Sequence, residues 1–119
     1  MRRWAPLLLI LASAAAGQSA DAERGKELFT RRCTGCHSPD RDVVGPRLRS
    51  AFGRKAGSVP SFPYSDGLKK ADIVWDERLL DRWLAGPEQL VPDTNMEFRV
   101  PKEDERAAII AYLKSLAGR

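Results

Sequence analysis

The sequence predicts an all-α domain: three main helices plus short helices, joined by long structured loops. Three observations predict it. Apolar residues recur at helical spacing in residues 76–85 and 103–116. Capping residues and stop signals bracket those stretches. No run of alternating apolar and polar residues is long enough for a paired strand. The chain has 119 residues, enough for one small domain. A domain of that size buries a modest core, so a disulfide, a metal or a cofactor is expected to add stability. The 43% apolar and 30% charged content fits a folded chain.

The elements follow in chain order. Met1-Arg2-Arg3, the apolar run Leu7 to Ala12 and the small residues after it read as a secretory signal over residues 1–20. Its apolar core is shorter than the roughly 20 residues a spanning helix needs, so no stable membrane insertion is expected. Ala16, with Ala14 two before it, and Ala20 both fit a cleavage site, and an uncleaved anchor is the alternative. The domain proper is then 21–119. Asp21 is placed to cap a first helix, about Ala22 to Arg32, with Leu28 and Phe29 as its bulky apolar residues. Gly25 lies inside it, where glycine is unfavourable unless another element packs close. Residues 38–64 are rich in proline and glycine and read as loop. Ser65 can cap a short helix through Lys70. Asp76 caps the next, with Leu79, Leu80, Trp83 and Leu84 on one face. Gly86-Pro87 reads as its stop, glycine for a left-handed turn and proline against continuation. Residues 87–101, with three prolines, read mostly as loop. The last helix runs from about Glu103 to Leu116. Its acidic start suits the positive helix end, and Ile109, Tyr112, Leu113 and Leu116 form one stripe.

Composition narrows the chemistry. One histidine excludes any site needing two imidazoles, and two cysteines exclude a multi-disulfide framework and a four-cysteine zinc site. No dense Lys/Arg run carries interleaved aromatics, so no nucleic-acid partner is expected. Charge is uneven: residues 24–70 hold eleven basic against four acidic groups, and 71–119 hold seven against ten. Such asymmetry can orient a partner, and it can equally reflect solvated helix faces.

Both cysteines and the single histidine fall in Cys33-Thr34-Gly35-Cys36-His37. Cys-x-x-Cys-His is the attachment signature of c-type haem. Each thiol adds to one vinyl group, and the next residue then lies under the ring, where its imidazole can bind iron. A thioredoxin-like pair would need a βαβ setting, and zinc would need four ligands. A plain disulfide would leave His37 without a role. His37 is thus the candidate proximal ligand. The sixth ligand cannot be histidine. Outside residues 1–20 the single methionine is Met96, in the proline-bracketed loop, and a Met/His pair raises the reduction potential. A lone methionine is otherwise a gap-filling residue, and a five-coordinate, gas-binding haem remains the alternative.

With these residues the chain resembles a class I cytochrome c, of the mitochondrial or related bacterial soluble type, over nearly all of residues 21–118. Gly25 and Phe29 match the helix-packing pair of that family's first helix, and Cys33 to His37 match its haem site. Gly45-Pro46-x-Leu48 matches a segment whose proline carbonyl accepts a hydrogen bond from the proximal histidine. Phe52-Gly53-Arg54-Lys55-Ala56-Gly57 matches another stretch. Arg54, Tyr64 and Trp75 align with residues that hold the haem propionates, since a buried carboxylate without donors is costly. Phe98 matches the aromatic beside the haem edge, and Ile109 and Tyr112 the face that crosses the first helix. Some positions depart from the family. Glu88, Gln89 and Asn95 stand where it has docking lysines, while Arg32 keeps one basic position. Trp83 replaces a tyrosine, Leu68 an asparagine and Leu90 an aromatic.

The resemblance implies long loops wrapped around one haem c bound covalently through Cys33 and Cys36. It implies an exported, periplasmic monomer with His37 and Met96 on the iron, carrying single electrons and catalysing no reaction. Redox protein partners follow: a membrane cytochrome bc-type complex, a terminal oxidase, a photosynthetic reaction centre or a periplasmic dehydrogenase. A subunit of a dehydrogenase complex, or a sensor with a labile sixth ligand, are the other readings.

Overall fold

The computed structural model describes residues 1–6, 8, 9 and 15–119, with side chains from residue 20 onward in the folded part. Leu7 and residues 10–14, and with them most of the apolar run expected of a signal, lie outside the described residues. Five helices follow: α1 Ala15–Arg32, α2 Asp66–Lys70, α3 Glu77–Ala85, α4 Pro87–Leu90 and α5 Glu103–Ala117. The described residues hold no strand, only an isolated antiparallel bridge between Lys55 and Val74. No described helix is long and apolar enough to cross a membrane.

Most of the sequence-level signals act as expected. The Ser65 hydroxyl accepts the Leu68 N–H (3.3 Å) and the Asp76 carboxylate the Leu79 N–H (2.8 Å), satisfying amides that the first helical turn leaves unpaired. Leu79, Leu80, Trp83 and Leu84 of α3 are all buried, as are Ile109, Tyr112, Leu113 and Leu116 of α5. Three local expectations fail. Helix α1 begins at Ala15, so Asp21 is interior and not a cap. Alanine-rich residues upstream carry the helical hydrogen bonding through it. Gly86 is extended (φ −176°), not left-handed, because it ends α3 and starts α4 at once. Its N–H bonds back to the carbonyls of Arg82 and Trp83, while Pro87 opens α4 at a position where proline suits a helix start. That short helix takes the first four residues of the stretch expected to be loop.

The core is built on the crossing of α1 and α5. A Cβ on Gly25 would overlap the Ala108 carbonyl and lie 2.8 Å from Tyr112 Cβ, so only glycine allows this approach. Phe29 packs against Tyr112 with ring centroids 5.2 Å apart. Two ion pairs tie the crossing: Arg24–Asp104 (2.9 Å), and Arg32 with the buried Glu105 (2.8 Å). Arg106 joins α5 to Asp81 of α3 (2.7 Å) and to the carbonyls of Val100 (3.1 Å) and Pro101 (2.8 Å), so it fixes where the 91–101 loop ends. Each fully buried aliphatic side chain here contributes roughly 1.5–3 kcal/mol.

Candidate haem site

The last turn of α1 delivers three chemical groups together. Cys33 N–H still bonds to the Phe29 carbonyl (2.8 Å), and the amides of Cys36 (3.1 Å) and His37 (2.9 Å) both turn back to the Cys33 carbonyl. The result is one tight turn with two free thiols and an imidazole. Burial pushes the Cys33 thiol up to about 11, so it is protonated at neutral pH and unlike the low-pKa thiol of a redox nucleophile. Among the described residues no cluster of three or more His, Cys, Asp or Glu could hold a metal ion. The zinc and thioredoxin alternatives therefore lose their support.

His37 is held from two sides. Its Nδ1 lies 2.9 Å from the Pro46 carbonyl, which can only accept, so Nδ1 carries the proton and Nε2 keeps its lone pair. Gly45 faces the ring so closely that a Cβ there would overlap Cε1. Its own N–H is fixed on the Cys36 carbonyl (2.7 Å). Burial lowers the imidazole pKa, the Pro46 bond raises it and the Arg54 charge lowers it; the net shift is downward, toward the neutral form.

Cys33, Cys36 and His37 open on a cavity of about 690 Å³. Pro46, Arg54, Tyr64, Trp75 and Met96 line the same cavity, so all eight site residues singled out in the sequence come together. The walls are otherwise mostly apolar, from Phe29 of α1 to Leu80 of α3 and Ile109 of α5. Gly53 (φ +87°) and Gly57 (φ +68°) turn the backbone through the left-handed region that other residues avoid. Between them the Arg54 carbonyl accepts the Trp75 N–H (2.9 Å) and the Gly53 N–H meets the Trp75 carbonyl (2.7 Å), which sets Trp75 beside Arg54. Trp75 also packs on Trp83, centroids 5.2 Å apart.

The polar wall suits a dianionic, flat, apolar group. Both terminal nitrogens of Arg54 donate to the Arg47 carbonyl (3.1 and 3.2 Å), its buried Nε has no partner, and it makes no ion pair among the described residues. Burial lowers its pKa, the cost of enclosing a cation, and the nearby Asp42 carboxylate offsets that only in part. Tyr64 accepts the Val59 N–H on its hydroxyl oxygen (3.1 Å), so its own proton is free to donate. An unsatisfied cation and a free donor on an otherwise apolar cavity fit the two carboxylates of haem.

Sequence reasoning missed Asp42 and Ser61. The Ser61 hydroxyl donates to Asp42 (2.5 Å), the Arg47 N–H also donates to it (2.9 Å), and the Arg47 guanidinium stands 3.8 Å away. This closes the 38–64 loop beside Arg54. Only an acidic residue ahead of Gly45-Pro46 hinted at it; its partner, nineteen residues on, left no local signal.

Helices and loops folded around one apolar cavity, with the haem-attachment turn at its wall, define a monohaem electron carrier of the small all-α kind. The chain belongs to the cytochrome c family, whose model matches residues 22–117. It is 43% identical over 99 residues to a cytochrome c of Euglena viridis, covering 81% of this chain and 97% of that one. It is 37% identical over 111 residues to cytochrome c2 of Rhodomicrobium vannielii, covering 90% and 88%. Among solved structures, cytochrome cH from Methylobacterium extorquens superposes with a TM-score of 0.76 at 38% identity, covering 80% of this chain and 98% of that one. Members of the family carry one covalently bound haem c, and Cys33 and Cys36 are the thiols that hold it here. Its partners are other redox proteins.

Proposed function

We propose that the chain is an exported, periplasmic, monomeric one-electron carrier with His37 and Met96 as axial ligands. One observation carries the ligation: the single histidine and the single methionine outside residues 1–20 line one cavity, and His37 Nδ1 is tied to Pro46. Bound haem supplies the Fe(III)/Fe(II) couple. His37 offers Nε2 with its lone pair, oriented by Pro46. Met96 offers a soft thioether from the loop, and a Met/His pair raises the potential. Arg54, Tyr64 and Trp75 are placed to meet the carboxylates. The apolar walls exclude water, which keeps reorganisation small during transfer. The signal-like residues 1–20 support export. The donors and acceptors proposed are a cytochrome bc-type complex, a terminal oxidase, a reaction centre or a periplasmic dehydrogenase. No chemical transformation of a substrate is assigned to it.

The test is an optical spectrum of the purified protein, oxidised and reduced, repeated with carbon monoxide and after denaturing extraction. Covalent haem, a weak far-red thioether–iron band and no response to carbon monoxide are expected. Met96→Ala is expected to keep covalent haem, lose the far-red band and bind carbon monoxide; an unaltered ligand field would overturn the assignment. Cys33→Ala with Cys36→Ala is expected to retain little haem after extraction, and full retention would refute attachment there.

A further inference from the structure

We propose that Asp93 is a latch that holds the Met96 loop against α2, and that residue 67 is glycine in order to admit it. The inference rests on Met96 as a ligand. Asp93 Oδ2 accepts the Gly67 N–H at 2.8 Å, across 26 positions of chain. Gly67 has no left-handed φ, so its backbone does not require glycine, and alanine is the better helix former in α2. The requirement is space. A Cβ there would overlap Asp93 Oδ1 and stand 2.9 Å from its Cγ and 3.0 Å from Val91 Cγ1.

The rest of the loop shows why one bond matters. Its ends are firm: the Val91 N–H bonds to the Pro87 carbonyl (2.9 Å) and the Val100 N–H to the Leu84 carbonyl (2.8 Å), and both valines are buried. Between them, the Met96 N–H is held only from within the loop, by Thr94 Oγ1 (3.2 Å). Among the described residues, 92–99 reach beyond their own loop by one hydrogen bond, Asp93 to Gly67, and by the ion pair of Arg99 with Glu88 in α4. Ser65 and Leu68, either side of Gly67, line the same cavity as Met96. The latch therefore ties two walls of the haem site together. A carboxylate on a backbone N–H is a charge-assisted bond, stronger than a neutral one. Losing it frees the middle of the loop, and Met96 with it, while the buried ends stay packed.

The experiment uses the full-length holoprotein and carbon monoxide as the probe of an open sixth position. Asp93→Ala and Gly67→Ala are each expected to speed carbon monoxide binding to the ferrous protein by about tenfold, the scale of one charge-assisted hydrogen bond, and to weaken the far-red band. The double variant is expected to match either single one, because both remove the same bond. Asp93→Asn, which keeps an acceptor oxygen, should restore most of the closed behaviour. Resistance to denaturant in Gly67→Ala is expected to stay close to the parent's, because the better helix former offsets part of the lost bond, whereas a general loosening would lower it well below the parent together with the band. Single variants as closed as the parent, or additive effects in the double, overturn the latch. Met96→Ala separates the two claims. If it opens the site while the Asp93 and Gly67 variants stay closed, the latch alone fails; if it matches the parent, ligand and latch fail together.

Discussion

Asp42 shows what a single side chain does for this site. The Ser61 hydroxyl first, then the Arg47 N–H and the nearby positive charges, hold its carboxyl below the ordinary value of 3.8. A carboxyl whose folded pKa is lowered stabilises the fold fully above its unfolded pKa, and the contribution is lost as pH falls through the folded value. Asp40 beside Arg49 and Asp104 beside Arg24 are lowered too. Stability of the parent is therefore expected to fall below about pH 4. Asp42→Asn should be less stable at pH 7 and show a shallower fall in acid, read by denaturant titration at pH 7, 4 and 3. Equal slopes for variant and parent would contradict this role. At this scale Cys33, Cys36 and His37 were plain in the sequence, because five adjacent residues need only a local turn to meet. Asp42 with Ser61, and Asp93 with Gly67, were not. Each pair joins residues distant in the chain through ordinary polar groups that leave no periodic or motif signature.

Among the elements, the crossing of α1 and α5 sets the wall that carries the attachment turn. Gly25→Ala would drive a methyl into the Ala108 carbonyl, a backbone group that cannot swing aside. The expected cost is about 3 kcal/mol, the upper range for overpacking, read as a lower denaturation midpoint with an unchanged slope. A cost below about 0.5 kcal/mol would show that the helices can separate without loss. The helices themselves were legible: the caps at Ser65 and Asp76 and the stripes of α3 and α5 depend on local chemistry and a period of 3.6. Their boundaries were less so. Helix α1 runs back to Ala15 past the expected cap at Asp21, and α4 starts on Pro87 inside the expected loop. In both places the signal was real, but the residues upstream or the tight turn at Gly86 decided which of two local options won.

For the whole molecule, the distribution of charge at the cavity mouth differs from what the chain halves suggest. Val43, Val44 and Phe98 line the cavity and are exposed. Several of the charged groups near them are paired within the chain: Arg32 with Glu105, Asp42 with Arg47 and Arg99 with Glu88. Glu97 makes no ion pair among the described residues. Charge that is mostly paired around an apolar rim gives little long-range attraction. Electron exchange with a protein partner is therefore expected to change less than about threefold between low and physiological salt, where steered pairs change far more. Stopped-flow rates over that range check it, and a tenfold fall would mean that unpaired charge guides docking.

The sequence by itself determined the covalent chemistry and the helical periodicity, because both are written in short windows: a five-residue attachment turn, capping residues and apolar stripes. It also limited the candidate ligands to one histidine and, outside residues 1–20, one methionine by simple scarcity. Only the tertiary structure decided how distant loops meet. It brought Pro46, Arg54, Tyr64, Trp75 and Met96 onto one cavity, left the buried Arg54 Nε without a hydrogen-bond partner among the described residues, seated Asp93 on Gly67 and paired several of the charges at the rim. These depend on packing across tens of residues, where burial removes solvent and gives a hydrogen bond or an unpaired charge its weight.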